Sequence, residues 1–209
     1  MTGRIIETDD CVKEGAAYLA KLDPRFRAAL ELTGPLPLRR KPDGFAALLD
    51  AIVSQQVSLA SARSILGRLK DAKLTSLRAV KHASQDDLRA CGMSRPKIRY
   101  AKALANANIN YTALHSEPDE NVVKTLVAVP GIGPWTAEVY AMISLGRADI
   151  FAPGDLALQE AARALFELNE RPNEKGLRAM SLAWSPWRGV AARLLWAYYR
   201  VIKEREGIL

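Results

Sequence analysis

One short stretch limits the fold more than any other. Val122 to Val129 reads as an amphipathic helical segment, Pro130-Gly131-Ile132-Gly133 cannot continue it, and a second helix can start at Pro134 or just after it. Proline fits the first turn of a helix, where its missing N–H is not needed, and glycines two apart allow backbone conformations closed to other residues. The chain must therefore turn sharply between two helices. Ile132, between the glycines, is expected to point inward and lock the turn. Glycines also leave no Cβ in front of the amides that open the second helix, where the positive end of the dipole favours an anion such as phosphate. A plain helix–turn–helix corner needs the same glycines only to turn.

The rest of the chain has the same helical period. Asp9 or Asp10 can cap a helix to Leu22, and Asp23-Pro24 can start another through Leu32. Residues 33–44, with three prolines and two glycines, form the one sizeable linker-like stretch. Asp43 can cap a helix that puts Phe45, Leu48, Leu49, Ile52 and Val53 on one face, and the next carries Leu59, Ala62, Ile65, Leu66 and Leu69. Thr75 and Ser84 look like caps, the second with Asp87 as a capping box, and Pro96 opens a basic helix. Residues 118–129, 136–145, 156–168, 174–183 and 187–205 supply further helices. No convincing alternating strand and no repeat is found, so the expected class is all-α, with ten or so short helices.

With 49% hydrophobic and 25% charged residues, the 209-residue chain can bury a core, as one domain or two small lobes. No apolar run approaches the roughly 18 residues of a membrane span, and the N-terminus lacks a secretory pattern, so a soluble intracellular protein is expected. Cys11, Cys91, His82 and His115 are scattered, which argues against structural zinc or an iron–sulfur cluster. The net charge of +7 is concentrated: residues 63–102 carry eleven basic residues against Asp71, Asp86 and Asp87, a net +8, whereas residues 1–62 sum to zero and 103–209 to −1. Such a block suits a phosphate backbone or, more plainly, a solvated helical face.

The hairpin and the residues after it, LVAVPGIGPWTAEVYAMISLGRADIFAPGDLALQEAARAL at 126–165, resemble the helix-hairpin-helix DNA glycosylase superfamily, which carries a Gly/Pro-rich loop and an aspartate downstream of the hairpin. Within it the chain is most similar to the alkylation-repair branch, the DNA-3-methyladenine glycosylase II enzymes. AIVSQQVSLASA at 51–62 and WSPWRGVAARLLWAYY at 184–199 extend the likeness to roughly residues 43–200. The resemblance implies two helical lobes with a cleft between them. Residues 1–42 are expected to pack as N-terminal helices on a 43–209 module whose hairpin spans about 120–146, in a compact form without the family's N-terminal β-rich domain.

The implied activity is hydrolysis of the N-glycosidic bond of alkylated purines (3-methyladenine, 7-methylguanine) everted from duplex DNA. The alternatives are a glycosylase for deaminated or mispaired bases and a non-catalytic DNA-binding module. Asp155 comes directly after Phe151-Ala152-Pro153-Gly154 and opens a helix. Alone it reads as an N-cap; in the family it is the catalytic carboxylate, which stabilises positive charge on the sugar as the base leaves.

Trp135 stands where bifunctional members carry a Schiff-base lysine, so base excision without strand cleavage is implied. Trp135 and Trp196 would wall the base pocket, with a core tryptophan as the bland reading of Trp135, while Trp184 and Trp187 read as core. Val139 and Leu156 stand where a better-known bacterial member has tyrosines, so its broad substrate range does not carry over. Gln55 and Gln56 align with the wedge that fills the DNA stack, against plain helix fraying. Gly131, Ile132, Gly133 and Thr136 would bind phosphate, and Arg95 and Lys97 would lie on a basic DNA face. The family also implies a monovalent cation on backbone carbonyls of Val127, Val129 and Ile132, no required cofactor, and a monomer acting on double-stranded DNA. Its place would be the cytoplasm or nucleoid, or the nucleus of a eukaryote.

Overall fold

The computed structural model describes residues 3–205, so the outermost ends of the two expected segments, residues 1–2 and 206–209, lie outside the described residues. Among the described residues there are twelve α-helices and no strand. They are α1 (Asp9–Leu22), α2 (Pro24–Thr33), α3 (Phe45–Ser54), α4 (Leu59–Asp71), α5 (Leu77–His82), α6 (Gln85–Ala90), α7 (Arg95–Asn106), α8 (Asp119–Val127), α9 (Pro134–Ile143), α10 (Leu156–Leu165), α11 (Glu174–Ser181) and α12 (Arg188–Arg205). They form two compact units, one of Met1–Arg40 with Ala141–Leu209 and one of Lys41–Tyr140.

In the first unit α2 and α10 pack on α12, and α1 packs on both α2 and α12. The approach of α1 to α12 depends on Gly15, where a Cβ would come within 2.6 Å of Val190 Cγ2 and 2.7 Å of Trp187 Cε3. An aromatic cluster closes the core: Trp184 stacks on Phe166 at 5.7 Å between ring centroids and meets Phe26 at 5.5 Å and Phe151 at 5.3 Å edge-on. Trp184 and Trp187 are buried, as their helical spacing suggested. The N-terminal segment is held by hydrogen bonds from Ile6 N–H to Gly146 O (2.7 Å) and from Ala148 N–H to Arg4 O (3.0 Å), which make an isolated bridge.

In the second unit α7 is the centre: α3, α5 and α6 all pack on it, and α4 packs on α3. The five expected apolar residues of α3 are all buried. Several caps come from local sequence. Asp23 accepts from Arg25 N–H ahead of Pro24, and Ser84 and Asp87 make a reciprocal capping box.

Three cap expectations need correction. Thr8, not Asp9 or Asp10, is the N-cap of α1, and the two aspartates occupy its first turn, where the dipole favours them. Ser76, not Thr75, caps α5. Asp43 does not cap α3: Gly44 holds that position, and the Asp43 carboxylate pairs with His115 Nε2 at 2.5 Å.

Trp184 touches three other aromatic rings, so Trp184→Ala should remove about 3–5 kcal/mol of stability. Urea unfolding should show it as a lower midpoint.

Candidate functional site

The hairpin is built by three tight hydrogen bonds. After α8 the chain turns with Ala128 N–H on Lys124 O (3.2 Å) and Val129 N–H on Leu126 O (3.1 Å), and Ile132 N–H closes back onto Val129 O (3.0 Å). Ile132 is buried and pins the turn, and its amide is engaged within it. Gly131 has φ +94°, and a Cβ there would lie 2.3 Å from Tyr100 Cγ, so both conformation and space demand glycine. Gln55 Nε2 donates to Gly131 O at 2.9 Å. Gly133 faces open space. Pro134 starts α9, and Ala137 N–H donates to Gly133 O (3.0 Å) in its first turn. Thr136 is buried. Trp135 is 45% exposed, which removes the core-tryptophan reading.

The hairpin shares a cavity of about 550 Å³ with the α3–α4 loop and the start of α7; Gln55, Gln56, Lys97, Tyr100, Gly131 and Gly133 line it. Gln55, at the C-cap of α3, is thereby tied to the hairpin, whereas Gln56 takes φ +55° and is exposed. Beyond it Val57 is exposed and Leu59 is 75% exposed. The sequence groups Leu59 with Ala62, Ile65, Leu66 and Leu69 as the apolar residues of α4. It lies in the first turn, one turn ahead of the first buried residue of that helix.

The basic helix needs a correction at Lys97. Its ammonium is buried and donates to Val53 O at 2.6 Å in the last turn of α3, and burial holds it below the ordinary lysine range. That carbonyl end of a helix is a favourable place for a cation. Lys97 lies four and seven residues before Ala101 and Leu104, both buried, and this spacing was the signal that put it on the inner face. Lys102 likewise donates to carbonyls at the end of α5, those of Lys81 (3.2 Å) and Ala83. Arg95 is exposed, and so is Arg99, whose guanidinium lies 5.1 Å from the Tyr100 ring centroid.

Asp155 and Trp196 belong to the other unit. Asp155 is the N-cap of α10: its Oδ1 accepts from Ala157 N–H (2.9 Å) and Leu158 N–H (3.1 Å). Its own N–H donates to Ala152 O (3.0 Å), and Gln159 Nε2 donates to Pro153 O (2.8 Å), so the loop is fixed at both ends. The carboxylate is half-buried, behind a buried Phe151-Ala152-Pro153 run. Two amide donors on one oxygen give it a single orientation. Leu156 is exposed beside it and Val139 is half-buried. Trp196 is half-buried on α12, with the Arg39 guanidinium 5.2 Å from its ring centroid.

Among the described residues no group of three or more His, Cys, Asp or Glu could hold a metal ion, and both cysteines are free. Among the same residues no helix is long and apolar enough to cross a membrane.

Residues 49–188 match the family described as HhH-GPD superfamily base excision DNA repair protein. The chain is 24% identical over 200 residues to the alkylbase DNA glycosidase-like protein mag2 of Schizosaccharomyces pombe, covering 90% of this chain and 94% of that one. Its fold is similar to the crystal structure of a DNA-3-methyladenine glycosidase from Bacillus halodurans, with TM-score 0.80, 32% identity and 88% of each chain covered. It is also similar to the Schizosaccharomyces pombe 3-methyladenine DNA glycosylase Mag1 in complex with abasic DNA, with TM-score 0.75 and 26% identity over 88% of this chain and 95% of that one.

Gly131→Ala should destabilise the protein by about 1–3 kcal/mol through its backbone conformation, with the Tyr100 clash added. Adding Tyr100→Ala should not restore the conformational part. Thermal unfolding of the single and double variants separates the two.

Proposed function

For a chain that belongs to the HhH-GPD superfamily of base excision DNA repair proteins, we propose hydrolytic removal of alkylated purines such as 3-methyladenine and 7-methylguanine from duplex DNA, leaving an abasic site. The observation that carries this reading is the Asp155 carboxylate, oriented by the first amides of α10 in the loop downstream of the hairpin. Relatives named DNA-3-methyladenine glycosylase, and the Mag1 complex with abasic DNA, support it.

A base cannot be cut inside the stack, so the target nucleotide is everted. The hairpin holds a backbone phosphate on the open Gly133 side, at the start of α9. Exposed Gln56 enters the vacated space and can hydrogen-bond the orphaned partner base, and Val57 and Leu59 add apolar surface beside it. Gln55 braces this loop against Gly131.

The exposed indole of Trp135 receives the base. An N-alkylated purine carries positive charge, and an aromatic face attracts a cation by about 0.5–2 kcal/mol. As the C1′–N bond breaks, positive charge grows on the sugar, and the Asp155 anion stabilises it and orients the attacking water. Water supplies the hydroxyl at C1′ and gives its proton to Asp155 or to solvent, and the cationic base leaves neutral with the bonding electron pair.

Tryptophan cannot form a Schiff base, so the enzyme excises the base without cutting the strand. No catalytic cofactor is required. A monovalent cation on the carbonyls of Val127, Val129 and Ile132 is compatible with the hairpin: Val129 O accepts the Ile132 N–H, and a carbonyl oxygen has a second lone pair. Such an ion would add positive charge to the turn. The protein acts as a monomer, in the compartment that holds the DNA.

Asp155→Asn should reduce release of 3-methyladenine from methylated DNA by about 10²–10³-fold while duplex binding persists. Turnover at the wild-type rate would remove Asp155 from the mechanism. Product DNA should stay intact until alkali is added, and direct scission by the pure protein would overturn the monofunctional reading.

A further inference from the structure

The net charge along the chain singles out residues 63–102, yet another group of arginines is gathered from stretches that sum to about zero. Arg39 and Arg40 lie in the connection between α2 and α3, and Arg193 and Arg200 lie on α12. Arg193, Trp196 and Arg200 are spaced by three and four residues and so share one face of that helix.

Arg193 is completely buried. It donates Nε to Leu38 O (3.0 Å) and Nη1 to Gly189 O (2.7 Å), and its Nη2 has no hydrogen-bond partner. The bond to Leu38 O ties the chain just before Arg39 to α12. Arg39 takes a left-handed φ of +53° and lays its guanidinium over Trp196. Arg40 Nη1 donates to Ser144 O at 2.7 Å.

Among the described residues none of these four arginines forms an ion pair. The charges that bear on them have their own sign. Burial, then Arg39 and Arg40, pull Arg193 down to about 10, and partial loss of solvent with Arg200 lowers Arg39, whose side chain still reaches solvent. Like charges gathered around a buried cation destabilise the protein unless an anion joins them. The Arg39 guanidinium lies 5.2 Å from the Trp196 ring centroid, and a planar guanidinium fork suits bidentate phosphate binding.

We propose that Arg39, Arg40 and Arg200, backed by the buried Arg193, form a clamp for DNA backbone phosphates on the unit that carries Asp155. The inference rests on the reading of the chain as a duplex-DNA-binding repair enzyme. Four guanidinium groups exceed the charge of one phosphodiester, which favours a run of backbone phosphates over a single free phosphate.

The test measures affinity for a lesion-free duplex from about 50 to 200 mM salt for the wild type, Arg39→Gln, Arg200→Gln and Arg39→Lys. Arg39 and Arg200 are exposed, so the variants should fold, and thermal unfolding checks this. Each Gln variant should lower the slope of log K against log salt by about 0.9, so that its affinity disadvantage shrinks about threefold over that range. Arg39→Lys keeps the charge and should keep the slope.

Slopes unchanged in both Gln variants would overturn the clamp, even if the protein binds and repairs DNA. A second arm titrates inorganic phosphate against tryptophan fluorescence. Saturation that depends on Arg39, with duplex slopes unmoved, would assign the arginines to free phosphate instead and overturn the proposal. Failure of the wild type to bind duplex DNA at all would overturn the repair reading and the clamp together; retained binding without base release would overturn the repair reading alone.

Discussion

The hairpin depends on one contact, the backbone of Gly131 against the Tyr100 ring. The positive φ at Gly131 lets the turn close, and its missing Cβ makes room for the ring. Ile132 can then drop into the interior and Gln55 can reach Gly131 O. A larger residue would push the turn off α7 and disturb the loop carrying Gln56 at the same time. The hairpin turn and the Gln56 loop are thus two outputs of one packing decision.

A second theme is one polar group serving two purposes. Asp155 caps α10 with the same carboxylate that the glycosylase reading needs, and capping is what orients it. N-cap and catalytic group are therefore compatible roles for one side chain. Lys97 shows the opposite outcome. Its charge suggested DNA, but its ammonium is spent on a helix carbonyl, where it steadies α3 just ahead of Gln55 and Gln56.

How much the sequence disclosed depends on range. The all-α class, the face of α3, the Ser84–Asp87 box and the Asp23-Pro24 start were legible because periodicity and caps act over a few residues. Asp43 was misread because its partner, His115, is 72 residues away and no local pattern announces it. Lys97 was legible in principle, since its spacing to Ala101 and Leu104 outranks its charge. The gathering of Arg39 and Arg40 with Arg193 and Arg200 could not be read, because a running charge count averages away residues about 155 positions apart. Leu59 shared the spacing of a core residue, and only the packing shows that the first turn of α4 lies in solvent.

The path of the backbone has a consequence for biogenesis. One unit is assembled from both ends of the chain, and the other is a continuous run between them. As the polypeptide leaves the ribosome, α1 and α2 emerge without α10 and α12, whereas Lys41–Tyr140 is complete before either partner is translated. The inserted unit can acquire its tertiary structure first, and the early helices, with Phe26 and Gly15 still lacking their neighbours, stay incomplete until the last long helix arrives.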